Sequence, residues 1–151
     1  MDPYVQQLYD AVVEVLPRWL LRCVRDTARR QSGSVTPELG ADAERMVADA
    51  GPLVLAELHE LLATDVDEQR TNPLSVLRAA VHHPTVVLRR HGIAVVARDD
   101  FAVRAFPDDV YGLSPATWAD VDEALRDPGL IWGAWKAKTV LDRRRAEGRR
   151  P

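Results

Sequence analysis

The residues best placed to do chemistry lie between positions 82 and 111. Asp99 and Asp100, then Asp108 and Asp109 close to Tyr111, put four carboxylates into the stretch 99–109. Oxygen ligands of this kind suit a hard cation such as magnesium, and paired carboxylates suit acid–base work. The spacing of a calcium-binding loop is absent, however, and adjacent aspartates point in diverging directions. Their setting, FPDDVYGLSPATW, combines proline, aspartates and glycine ahead of a serine–proline pair. That is the composition of a corner leading into a helix. The segment therefore reads as a turn packed down by Phe106 and Tyr111, and no catalytic residue is assigned.

The histidines of VHHPTVVLRRHG (His82, His83 and His91) could be taken for metal ligands. If residues 84–91 are helical, the backbones of His83 and His91 stand about 12 Å apart along the axis. Ligands of one zinc each approach to about 2 Å, so the three are expected to act separately. His59, beside the stripe of Leu58, Leu61 and Leu62, is expected to face solvent. No HExxH and no Cys/His pairing at zinc spacing occurs; the sequence implies neither a metal nor a cofactor. Residues 73–91 have the length of a helix-turn-helix, with Arg89 and Arg90 for phosphates. Its reading helix would offer Thr85, Val86, Val87 and Leu88, mostly apolar where base contacts need polar groups. A GxSxG elbow, a phosphate loop and GxGxxG are missing, and Cys23 falls in the apolar phase of a helix, where the core is its expected place.

The elements around these residues are helical by spacing. In 3–31, Val5, Leu8, Tyr9, Val12, Leu16, Trp19, Leu20, Cys23 and Val24 recur at gaps of three and four across Pro17. That pattern predicts one kinked helix or two collinear ones, ended by Gly33. Thr36 with Pro37 opens a second helix, whose apolar face (Leu39, Ala43, Met46, Val47, Ala50) resumes past Pro52 as Leu53, Val54 and Leu55, then Leu58, Leu61 and Leu62. The two form an expected kinked antiparallel hairpin over 1–64. Residues 64–72 are a polar link, and 72–147 read as shorter helices begun by Asn72, Ser114 and Asp127, each followed by proline. Residues 93–106 are read as loop in preference to an isolated strand pair. The reading is all-α: a single domain over 1–151, a long kinked antiparallel helical hairpin followed by a compact group of shorter helices, with a disordered basic tail at 148–151.

At 151 residues with 46% apolar and 28% charged side chains, the chain can bury a core unaided. Its net charge of −3 exerts no general pull toward nucleic acid or membrane. The distribution is uneven: from Lys136 onward seven cations face Asp142 and Glu147, leaving +5 on the last sixteen residues and −8 on the rest. One cysteine, no secretory signal and no bilayer-length apolar run make a soluble cytoplasmic protein the expectation.

The most informative segment is GLIWGAWKAKTVLDRRRAEG. Its apolar residues cover most of a helix's circumference, which predicts burial on more than one side. Gly133, costing about 1 kcal/mol of helix propensity, suggests close approach of another backbone. Trp132 or Trp135 could instead anchor a partner, since tryptophan and arginine are enriched at binding hot spots. Lys136 and Lys138 occupy the remaining polar strip. Arg143, Arg144 and Arg145 suit the helix dipole and add positive charge. The function expected is a non-enzymatic protein-binding or adaptor module, using Trp132, Trp135, Lys136, Lys138 and Arg143–Arg145. The alternatives are nucleic-acid association through the basic tail, or an enzyme using the carboxylates of 99–109. A homodimer is compatible with all three.

Overall fold

The computed structural model describes residues 1–64, 72–93 and 115–148. Asp99, Asp100, Phe106, Asp108, Asp109, Tyr111, the expected loop beyond Ile93 and the tail beyond Gly148 lie outside the described residues. Within them the fold is all-α, without strands.

α1 (Pro3–Ser32) begins where Asp2 accepts a hydrogen bond from the Tyr4 N–H, and ends at Gly33, whose φ of 82° suits a residue without Cβ. α2 (Pro37–Ala63) begins where the Thr36 side chain accepts from the Leu39 N–H. Each runs unbroken through its internal proline, Pro17 or Pro52, as one helix and not two collinear ones. Residues early in α1 (Val5 to Cys23) share a buried cluster with residues late in α2 (Val54, Leu58, Leu62), and Val24 and Ala28 share another with Leu39 and Ala43. That is the pairing of antiparallel neighbours. The apolar positions read in α1 are buried, Tyr9 alone being half-exposed.

α3 (Leu74–Ala80) and α4 (His82–Arg90) follow. Asn72 caps the first of them as expected, its Oδ1 accepting from the Leu74 N–H at 3.0 Å. Val81 joins the two with helical backbone angles (φ −57°, ψ −23°). The three- or four-residue turn of a helix-turn-helix is therefore missing. Thr85, Val87 and Leu88 are buried, so the face that would have read bases packs on α1 and α2 instead.

α5 (Trp118–Val121), a 3-10 turn (Glu123–Leu125) and α6 (Arg126–Gly148) complete the order. Two expected starts move. The helix near Pro115 begins at Trp118, because Thr117 and Asp120 form a reciprocal capping box that satisfies both ends of the first turn. The last helix begins at Arg126, and Asp127 lies inside its first turn where a carboxylate suits the helix dipole. Trp118, Val121 and Leu125, at gaps of three and four, are buried.

One buried cluster draws side chains from 5–23, 54–62, 74–81 and 118–132, so both halves of the chain build the same core. Full burial of a leucine such as Leu16, Leu58 or Leu77 contributes about 1.5–3 kcal/mol. Polar ties fix the second half on α1. Asp122 accepts from the Arg18 Nε–H at 3.0 Å and from the Ala124 N–H at 3.0 Å. Arg22 donates to the Val121 carbonyl, and Arg78 donates to those of Pro115 and Ala116. The Arg18 and Arg22 bonds set the residues just before α6 against the middle of α1, and those of Arg78 tie α3 to the segment ahead of α5.

Candidate functional site

α6 is anchored at its first two turns. Gly129 is buried, and a Cβ there would lie 2.5 Å from Trp118 Cδ1. Trp132 is 9% exposed and belongs to the main core cluster, with Trp135 packed half-buried at its edge. Both tryptophans line a small gap against Leu61, Leu62 and Pro73 of only about 10 Å³, room for about one water. The Lys136 ammonium stands 5.0 Å from the Trp132 ring centroid, a cation–π arrangement.

Past Trp132 the character changes. None of the residues from Gly133 to Gly148 is buried. Leu130 is 68%, Ile131 37% and Leu141 48% exposed, and Ala134 and Ala137 are exposed as well. The expected burial on more than one side is thus corrected: α6 is buried along one stripe, centred on Gly129 and Trp132, and presents a second apolar stripe outward. Gly133 is likewise corrected, since a Cβ there would meet nothing within 4 Å. The close approach is one turn earlier, at Gly129, and it is made by a ring, not a backbone.

The sequence-predicted site residues separate accordingly. Trp132 is buried in the main core cluster, not exposed as an anchor would be. Trp135 and Lys136 sit on its flank, half-buried, while Lys138, Arg144 and Arg145 are exposed, with Arg143 half-buried between them. Lys136 and Lys138 do not share a strip, because two residues along a helix turn through about 200°. Missed by the sequence reading were Leu130, Ile131 and Leu141. Their hydrophobicity was visible, but the side of the helix facing the body was not.

A second constellation forms between α2 and α4. Asp42, Arg45, Asp49, His82, His83 and Arg90 line an open cleft of about 370 Å³. His82 and His83 lie edge to face, their centroids 5.8 Å apart. His91 turns away to Asp42, Nε2 to Oδ2 2.6 Å, and Arg45 donates to the same carboxylate. The three histidines are therefore not brought to one point. No group of three or more His, Cys, Asp or Glu suited to a metal occurs among the described residues. His59 is exposed, its ring edge on Tyr9, and Cys23 is buried. Among the described residues no helix is long and apolar enough to cross a membrane.

The cleft and the Asp122 tie set a pH dependence. Burial, reinforced by His82, holds His83 below the ordinary imidazole range, favouring its neutral form. The bonds from His91 and then Arg45 hold Asp42 below the carboxylate range. Those from Arg18 and then the Ala124 N–H do the same for Asp122. Each folded value is depressed, so on acidification the unfolded chain takes up protons first and stability falls. The loss is expected in two stages, the first as pH drops below about 6.5 and the second below about 3.9, the unfolded values of His and Asp. Thermal melts across this range check it; an undiminished first stage in His83→Gln would reassign that stage to another group.

Comparison of the chain with protein-family models, with curated proteins and with solved structures finds no match.

Proposed function

We propose that this chain is a protein-binding module whose working surface is the outer face of α6 together with its basic end. One observation supports the reading above others: sixteen consecutive helical residues, Gly133–Gly148, without a buried side chain, on a helix that turns leucines outward. A helix of that length in water is marginal by itself, and most helices in proteins draw their stability from packing an apolar face. Leu130, Ala134, Ala137 and Leu141 supply such a face, and Lys138, Arg144 and Arg145 flank it with positive charge. The fitting partner is an amphipathic helix that sets an acidic group against this basic end, because apolar contact provides affinity and charge complementarity provides rate and selectivity.

Capture from native lysate with and without nuclease tests this. The wild type would be compared with Leu130→Asp/Leu141→Asp and with Arg143, Arg144 and Arg145 changed to glutamate. A nuclease-resistant protein held by the wild type and lost from the Leu variant is the expected result. Retention in every variant would remove α6 as the binding surface. A signal abolished by nuclease and by the arginine changes would transfer the basic end to nucleic-acid binding.

A further inference from the structure

The outer stripe of α6 carries more information than its hydrophobicity. Asp127, Leu130, Ala134, Ala137, Leu141 and Arg144 are all exposed, and they follow one another at gaps of three, four, three, four and three. This is the spacing of a two-helix seam, and the drift of about 20° per heptad is small over two heptads. The series is also the same read backwards. Reversed about the midpoint between Trp135 and Lys136, Leu130 falls on Leu141, Ala134 on Ala137, and Asp127 on Arg144.

We infer that α6 pairs antiparallel with α6 of a second copy of this chain, a reading that rests on the protein-binding role of this face and names its partner. In that pair the two central layers are alanine against alanine, which lets helix axes approach toward the lower end of the usual 8–10 Å. Leucine covers leucine on either side, and each end is closed by Asp127 of one copy against Arg144 of the other. A parallel pair would set Asp127 against Asp127 and Arg144 against Arg144, so charge selects the antiparallel form. The same reversal sets the Arg143–Arg145 end of one copy beside residues 126–128 of the other, where Asp127 is the acid that faces Arg144. The contact is isologous and closes on itself as a dimer. Trp132 and Gly129 hold the helix to its own body from the opposite side, so the seam is presented already formed. Six layers make a small interface, at the weak and concentration-dependent end of specific association.

Sedimentation equilibrium of the full chain over a wide concentration range is the test. The wild type is expected to shift from monomer to dimer mass as concentration rises. Ala134→Glu, on an exposed position that leaves folding intact by circular dichroism, is expected to remain monomeric. Asp127→Arg and Arg144→Asp are each expected to weaken the dimer about tenfold or more, and the double exchange to restore it, a rescue that general loss of helix stability would not give. A wild type monomeric throughout, or a dimer indifferent to Ala134→Glu, or singles not rescued by the exchange, overturns the inference. If the wild type is monomeric yet captures a protein through Leu130 and Leu141, only the second copy fails and the binding role stands. If the dimer forms as described and no other protein is captured, self-association is the whole of that role.

Discussion

Trp132→Ala is expected to lower the unfolding free energy by about 3–5 kcal/mol, the cost of emptying a large aromatic site in a core. The ring is 9% exposed and joins the cluster that α1, α2, α3 and α5 share, so its removal leaves a void bounded by several elements that cannot all collapse into it. The lysine above it loses its cation–π contact in the same step. Against a total stability of about 5–15 kcal/mol for a domain, the change is large. Trp135→Ala, at a half-buried position, is expected to cost clearly less, and Leu141→Ala to stay within about 0.5 kcal/mol. Urea titrations read as midpoint shifts at constant slope would rank the three. If Trp135 proved as costly as Trp132, the division of α6 into an inner and an outer face would be wrong. The ranking also decides how binding is probed: lost binding in a Trp132 variant would report a damaged fold, whereas Leu130 and Leu141 report the surface itself.

Periodicity alone recovered the two long helices, because apolar residues at gaps of three and four, a Thr36–Pro37 start and a Gly33 stop are local signals that tertiary contacts reinforced. The short elements were less legible. Ser114 and Pro115 have the form of a helix start, but the reciprocal bonds of Thr117 and Asp120 place the start at Trp118. Nothing local marks Asp122 as a paired carboxylate, since its partner Arg18 is 104 residues away. The cleft of Asp42, Asp49, His82 and His83 was invisible for the same reason: it exists only because α4 packs on α2. For the last helix, the sequence shows that nearly every side is apolar; it does not show which side the body takes. Burial on several sides and an exposed second stripe produce the same composition, and packing distinguishes them.

That packing is decided at Gly129, where alanine is expected to be harmful although it is the better helix former. Propensity favours Gly129→Ala by about 1 kcal/mol. Its Cβ, however, would stand 2.5, 2.6 and 2.8 Å from Cδ1, Cγ and Cβ of Trp118, atoms near the root of a buried ring that cannot swing aside as a flexible tip could. Overpacking of this kind costs about 1–3 kcal/mol, which offsets or exceeds the propensity gain, so a net loss of up to about 2 kcal/mol is expected. Gly133→Ala, one turn further on with nothing within 4 Å of the new atom, should stabilise by up to about 1 kcal/mol. The two changes are chemically identical and lie on the same helix, so their opposite signs would isolate the ring contact from propensity. Pairing Gly129→Ala with Trp118→Leu should cost less than the sum of the two alone, since the smaller side chain vacates the space the new methyl needs. Strict additivity, or stabilisation at both glycines, would mean that α6 is not seated on Trp118. The outward direction of Leu130 and Leu141 would then lose its basis, because both lie within one or three turns of that seat and their facing follows from it.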